Sequence, residues 1–397
     1  MPLTSGSAAL APHRHESDVR AHFRSSRRQF ETSGIAAPLP AGPLPTLGQR
    51  ARAFFAAHPD GPDLLLGCLP FDPARDDYLV QPREIVTPPA TLPRKPEQAG
   101  APQWQVRSNP DAAGYGAMVA RALEAIAGAY AGPGGLRKVV LARRLLLQAD
   151  RPVDAATIAT RLGGDRSVTT FAMPLPPFVG LPRILVGGTP ELLLAKQGRT
   201  IRSHPLAGSA RRHTDPRLDE AAAASLLASD KNRREHAAAV EAVLDALAPF
   251  CSSLSVPDGP GLQSTASMWH LGTLVEGQLR DADLSCADLL APLHPTPAVC
   301  GFPRAAAQKL IAELEPFERG FYAGAVGWMD RAGDGEWHIA LRCGEIAGRQ
   351  ITLYAGAGIV LGSDPAAEAA ETSAKFVALL QALDIDENGR PLGGASR

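Results

Sequence analysis

The sequence predicts a mixed fold of strands and helices, built as one large sheet-rich unit or as two or three domains. Its 397 residues are enough to bury a large core. Its apolar segments are short, and strand-like runs alternate with stretches at helical spacing, most clearly in the second half. There FYAGAVGWM and EWHIALRCG flank a Gly-Asp-Gly turn, the pattern of a hairpin.

In chain order, residues 1–48 are rich in Ala, Pro, Gly and Arg, and PLPAGPLPTLG has the composition of a linker. They are expected to form a flexible leader. A helix is expected over Gly48–His58, and LLLGCLPFDP (64–73), a short apolar run closed by proline, reads as a buried strand. A polar, proline-rich crossing follows to about Asn109. Ala112–Ala131 is amphipathic, with Tyr115, Met118, Val119, Leu123, Ile126 and Tyr130 at helical spacing, and GPGG (132–135) ends it. A strand then starts at Lys138, a short helix follows Asp154, and strands lie around Ser167–Met173 and Ile184–Gly188. HPLAGSARR (204–212) reads as a loop whose Gly208 and Ser209 allow close backbone approach to a ligand. A helical stretch from Pro216 to Phe250, broken near Ser229, turns Val240, Val243, Leu244 and Leu247 toward the core. Residues 267–279 read as a strand carrying His270, 291–304 as a proline-packed loop, and RAAAQKLIAELEP as a helix.

Four places can carry chemistry. Lys138 stands at the mouth of an apolar strand; such a lysine ordinarily snorkels at the edge, but a desolvated ammonium can act as a base. Glu191 follows Gly-Gly-Thr-Pro and precedes three leucines. It is either an exposed turn glutamate or a carboxyl whose pKa is raised toward that of a general acid. Glu235 and His236 lie one turn before an apolar stripe, in what would ordinarily be a surface charge cluster. The fourth place, Leu353–Lys375, reads as a strand, a double-glycine turn at Gly356 and Gly358, and a helix with Asp364 as N-cap and Pro365 at its first position. Glu368, Glu371 and Lys375 share one face of that helix, and the alanines around them leave room for a hard divalent cation. Alone, such glutamates would merely complement the helix dipole.

Composition narrows the classes. With 40 Lys plus Arg against 41 Asp plus Glu, nothing points to nucleic acid or an anionic membrane. No apolar run approaches a membrane span, and the leader's arginines precede no apolar core, so neither a transmembrane helix nor a secretory signal is expected. Cys68, Cys251, Cys286, Cys300 and Cys343 are scattered, as for reduced, buried thiols in a cytoplasm. P-loop, GxGxxG, HExxH and GxSxG patterns are absent from the sequence.

Between residues 64 and 385 the chain presents, in order, CLPFDP, KVVLARR, GGTPELLL, PLAGSARR, LLASDKNRREH, MWHL with EG, LHPTPAVCGFPR, ELEPF, GAVGW, ALRC and YAGAGIV with E–ET. This series resembles the chorismate-utilising enzymes, and within them the isochorismate synthases, leaning toward those that serve catechol siderophores. The resemblance implies an α+β (α/β sandwich) fold: one catalytic domain over 49–397, two large antiparallel-rich sheets packed together, helices outside, and the active site in the cleft between them. It implies chorismate as substrate and Mg²⁺ held by Glu235 and Glu371 with Glu368 nearby. Arg342 and Tyr322 match positions that take the enolpyruvyl carboxylate. Backbone near Gly356 and Gly358, the Lys375 ammonium, Gly208 and Ser209 supply further contacts, and His270 matches an orienting histidine. Lys138 matches the base that activates water at ring C2, and Glu191 the acid that protonates the departing C4 hydroxyl.

Within the family, a base such as Lys138 serves water rather than ammonia. Ala207 stands where aminodeoxychorismate synthases carry a nucleophilic lysine, and the inhibitor-site residues of anthranilate synthases are not evident, so no glutaminase subunit is expected. Ala298 stands where salicylate synthases generally have threonine, which implies an enzyme that stops at isochorismate. The alternatives are a salicylate synthase, a menaquinone-pathway isochorismate synthase, and a non-catalytic chorismate-binding scaffold. The last has no reason to keep Lys138, Glu191, Glu235 and Glu371 together. A cytoplasmic monomer without nucleic-acid or membrane partners is expected.

Overall fold

In the computed structural model, which describes residues 19–86, 102–129, 135–178 and 180–392, the ordered chain opens with a hairpin of β1 (Arg20–Arg24) and β2 (Gln29–Pro38). This corrects the expected 1–48 leader from residue 20 onward; residues 1–18 lie outside the described residues. Ala21 and Phe23 alternate inward, Phe23 is fully buried, and β1 adds its other edge to residues 170–172.

Helix α1 (Leu47–Ala57) buries Leu47, Ala51, Phe54 and Phe55, and β3 (Leu65–Leu69) is buried throughout. The expected proline-rich crossing instead contains β4 (Tyr78–Val86), paired with β2 across Pro82, and β5 (Trp104–Asn109). Helix α2 (Ala112–Ala129) buries Tyr115, Met118, Val119 and Ile126; Tyr130 lies outside the described residues. Then follow β6 (Lys138–Ala149), α3 (Ala155–Leu162), capped by Asp154, β7 (Thr169–Phe178), β8 (Leu181–Thr189), β9 (Leu192–Gln197) and β10 (Thr200–His204).

The expected loop at 204–212 is mostly strand β11 (Leu206–Arg211). Helices α4 (Pro216–Ala228) and α5 (Asp230–Leu247) break at Ser229, whose hydroxyl caps α5 by accepting the Asn232 N–H. Beyond β12 (Cys251–Ser255) and β13 (Gly261–Ser264), the single strand expected over 267–279 is two, β14 (Met268–Gly272) and β15 (Val275–Leu279), separated at Thr273. The chain closes with α6 (Cys286–Leu293), β16 (Gly301–Phe302), α7 (Arg304–Leu314), β17 (Ala325–Met329), β18 (Gly335–Ile339), β19 (Cys343–Ala347), β20 (Gln350–Val360) and α8 (Pro365–Leu383).

The class is α+β, with antiparallel ladders between the strands. Seventeen strands hydrogen-bond into one continuous network where two large sheets were expected, and β11, β14 and β13 form a separate three-stranded sheet. Strand β6 stitches the network together: it pairs with β20 along its length and with β16 and β5 in turn. Trp337, Tyr115, Phe23 and Phe171 fill the main core. Phe376, Leu379 and Leu380 of α8 seal a second one against α3, β6 and β20. Among the described residues no helix is long and apolar enough to cross a membrane, and all five cysteines are buried and free.

Candidate active site

Strand β6 begins with Lys138, which sits in register between Phe302 of β16 and Val360 of β20. It does not snorkel: it is 8% exposed, and its Nζ stands 3.9 Å from Glu235 Oε2 on α5. Gly356 and Gly358, expected in a turn, lie inside β20, and the turn comes after Val360. Their missing side chains clear the cleft, since a Cβ at Gly356 would come within 3.1 Å of the Tyr322 hydroxyl.

Glu191 lies between β8 and β9. Its backbone is pinned by the Ile339 N–H, which donates to its carbonyl at 3.1 Å. Its side chain is 3% exposed, and the Leu206 N–H donates to Oε1 at 3.4 Å. Burial pushes the carboxyl up to about 8, against the lowering pull of that N–H and of Lys138, Arg342 and Lys375. Glu191 is therefore not the exposed turn glutamate that its position alone also allowed.

Helix α8, capped by Asp364 through the Ala367 N–H, turns Glu368, Glu371 and Lys375 into the same cleft. Lys375 pairs with Glu371 Oε1 at 2.5 Å and donates to the Gly356 carbonyl at 2.8 Å, while the Ser209 hydroxyl donates to Glu371 Oε1 at 3.0 Å. Burial alone would raise Glu371, but Lys375, Ser209 and Arg342 outweigh it and hold the carboxyl below its usual range. Glu368 is raised by burial and by Glu371; Lys231, from the first turn of α5, reaches it at 3.3 Å.

Tyr322 stacks flat on Tyr354, with ring centroids 4.9 Å apart, and burial raises its phenol. Two non-glycine residues beside it, Ala323 (φ +58°) and Arg342 (φ +47°), hold left-handed backbone, a conformation that costs energy and concentrates at ligand sites. The Arg342 side chain makes no hydrogen bond or ion pair with the described residues, so its fork is available to an anion. His270 of β14 pairs with Ser209 of β11. Burial, then Arg342 and Lys375, push its pKa well down, so it is neutral, and its buried Nε2 has no partner among the described residues. Gly208, at φ +80°, packs against Asn232. Ala298 follows α6 in a turn at the cleft wall.

These groups converge on one cleft from four strands, β6, β11, β14 and β20, two helices, α5 and α8, and the loops that carry Glu191, Ala298, Tyr322 and Arg342. The cleft wall includes every residue that the family resemblance pointed to: Lys138, Glu191, Gly208, Ser209, Glu235, His270, Ala298, Tyr322, Arg342, Gly356, Gly358, Glu368, Glu371 and Lys375; His236, named beside Glu235 from the sequence, does not line it. Residues 81–384 match the chorismate-binding enzymes.

The chain belongs to the chorismate-binding enzyme family.

Among relatives of this chorismate-binding enzyme, the isochorismate synthase DhbC of Bacillus subtilis (strain 168) is 40% identical over 346 residues, covering 85% of this chain and 86% of that protein. The isochorismate synthase EntC of Escherichia coli (strain K12) is 36% identical over 397 residues, covering 95% and 96%. Among solved structures, DhbC from Bacillus anthracis, assigned as a 2,3-dihydroxybenzoate-specific isochorismate synthase, superposes with a TM-score of 0.84 at 35% identity, covering 94% of this chain and 98% of that one.

Lys231 and Asn232 also line the cleft of this family member and were not singled out from the sequence. They precede Glu235 by four and three residues, so helical spacing from that carboxylate was the available signal. Among the described residues no three His, Cys, Asp or Glu side chains form a closed metal cluster. The donor set nevertheless fits Mg²⁺, which keeps several waters and needs only one or two carboxylates beside substrate oxygens. Glu235 Oε1 is buried without a hydrogen-bond partner among the described residues, and Glu368 and Glu371 face the same space.

Proposed function

We propose that the protein is an isochorismate synthase, an isomerase that converts chorismate to isochorismate for a catechol siderophore route through 2,3-dihydroxybenzoate. The observation that carries the reaction type is the pairing, in one cleft, of a carboxyl held up to about 8 with a buried lysine. Such a carboxyl is protonated at neutral pH and can donate. The relatives' names favour water chemistry at chorismate and, within it, the siderophore branch.

In this reading Lys138 takes a proton from water as the water oxygen bonds ring C2. The ring double bonds shift, and the C4–O bond breaks while Glu191 gives its proton to the departing hydroxyl, which leaves as water. One water enters, one leaves, and the proton count balances. Arg342 and Tyr322 bind the enolpyruvyl carboxylate, with Lys375, Ser209, Gly208 and the backbone at Gly356 and Gly358 shaping the rest of the pocket. Neutral His270 orients the substrate through Nε2. Glu235 and Glu371, with Glu368, would hold Mg²⁺, which supplies positive charge for the ring carboxylate. Ala298 leaves the product intact. The same reading has the enzyme act in the cytoplasm as a monomer without a glutaminase subunit.

Incubation with chorismate and Mg²⁺, followed by chromatography, tests this directly. Isochorismate should accumulate; salicylate with equal pyruvate would replace the reading with salicylate synthase, and unchanged chorismate would remove it.

A further inference from the structure

Glu191 receives one hydrogen bond on its carboxyl among the described residues, from the Leu206 N–H at 3.4 Å. What fixes that N–H is therefore part of what fixes the acid. Leu206, the first residue of β11, pairs opposite Gly272 of β14; the ladder is irregular between Leu206 and Ser209, where the strand passes the cleft, and regular from Ser209 to Arg211. The neighbouring carbonyl, Pro205, accepts the Thr273 N–H at 3.3 Å. Thr273 directly follows β14, and its hydroxyl meets His236 Nε2 of α5 at 2.5 Å. Both side chains are 2% exposed, so neither can exchange this bond for water. The corner has no slack: a Cβ on Gly272 would come within 2.7 Å of the Leu206 side chain.

We propose that the His236–Thr273 pair is a strut that sets the Leu206 N–H on the Glu191 carboxyl, making both positioning residues for the general acid. The role rests on the isochorismate synthase reading and deepens it. His236 directly follows Glu235, so one turn of α5 fixes both the carboxylate beside Lys138 and, through Thr273 and Pro205, the donor to Glu191. Neither His236 nor Thr273 is among the groups that line the cleft. Their influence on the acid therefore runs through the backbone of residues 205 and 206.

The test uses the full-length enzyme with chorismate and Mg²⁺. Thr273→Val keeps the side-chain shape and removes the hydroxyl; His236→Phe removes the same bond from the other side; Thr273→Ser keeps the hydroxyl. The first two should lower kcat by about ten-fold, the cost of a small misplacement of a reacting group, with KM for chorismate within about two-fold. Because the Leu206 N–H lowers the Glu191 pKa, losing its alignment should also move the alkaline limb of the kcat profile upward by about half a pH unit. Thr273→Ser should restore both. The double variant should cost no more than either single, since both remove one bond. An unshifted limb, a loss that is uniform across pH, or a loss confined to KM overturns the strut. If Thr273→Val does not fold, His236→Phe carries the same comparison. A wild type that leaves chorismate unchanged overturns the isochorismate synthase reading and the strut together, which separates that failure from the strut's own.

Discussion

Lys138 occupies the space that a side chain on Gly358 would need. A Cβ there would stand 3.0 Å from Lys138 Cε and 3.4 Å from Nζ. Gly358 has no left-handed backbone, so alanine is compatible with the strand and its effect is on the lysine. Gly358→Ala should keep its melting temperature within a few degrees while kcat falls by about ten- to a hundred-fold, because the proposed base is pushed off its line of approach. Steady-state kinetics beside a thermal melt reads this out. Wild-type kcat in the alanine variant would mean that the position of Lys138 matters little.

Removing the proposed base or acid should cost more. Lys138→Ala and Glu191→Gln are each expected to lower kcat by about 10²–10⁴, the range for one positioned acid or base, with smaller changes in KM. Arg342→Ala should do the reverse and weaken chorismate binding strongly, since its unpaired fork is assigned to a substrate carboxylate. Near-normal turnover in Lys138→Ala would place the base elsewhere.

Glu191 also predicts two pH effects. Its carboxyl is raised by burial from 4.5 to about 8, and a general acid must hold its proton, so turnover should fall as pH rises through about 8. For stability the sign is the same: the folded state holds a proton that the unfolded chain has lost above 4.5. Stability should therefore decline as pH rises from about 4.5 to about 8 and level off above that. Glu191→Gln has no proton to lose, so its melting temperature relative to wild type should rise across that window. A constant difference across the window would mean that the carboxyl titrates normally.

Much of this was legible in the sequence, for reasons that differ by element. The helices from Ala112, Pro216 and Pro365 announce themselves by periodicity and caps, and the break at Ser229 shows in its capping side chain. The β1–β2 hairpin was hidden because its buried alternation rests on Ala21 and Phe23 among arginines. Pro82 disguised β4, which tolerates it in the pairing with β2. Gly208 made β11 look like a loop, and Gly356 and Gly358 made a strand look like a turn; in both places glycine serves close approach rather than chain reversal. The cleft residues are spread from 138 to 375, so no local pattern could assemble them, and only the ordered motifs of a family did. The Leu206 donor to Glu191 is a backbone group, invisible to residue type altogether.

The magnesium assignment predicts that Glu235→Gln and Glu371→Gln each abolish turnover and weaken Mg²⁺ binding measured by calorimetry, with the fold intact. Glu235 contributes a buried oxygen with no partner among the described residues, so its loss should register in the binding heat without a large change in melting temperature. Glu371→Gln also frees Lys375 from its ion pair and should show a larger effect on KM. Excess chelator should silence the wild type and added Mg²⁺ restore it. Full activity in chelator would end the assignment.

In the proposed reading, Ala298 separates isochorismate formation from the elimination that would follow it. Its methyl group sits in the turn after α6, half-buried on the cleft wall beside Val299, whose N–H is tied to the Thr296 carbonyl. Eliminating pyruvate requires a pose in which a ring hydrogen passes to the enolpyruvyl group as the C–O bond breaks. A methyl offers space for poses in which that transfer cannot occur, and it offers no hydroxyl to favour the reactive one. Threonine would add both a branch, which narrows the space, and a hydrogen-bonding group near the reacting atoms. Ala298→Thr should therefore raise the pyruvate released per isochorismate formed, at some cost in total rate, because the wider side chain also shifts the ring against Lys138 and Glu191. Coupling pyruvate release to lactate dehydrogenase, with isochorismate followed by chromatography, gives the ratio for both proteins in one experiment. An unchanged ratio in the threonine variant would remove Ala298 as the determinant of where the reaction stops.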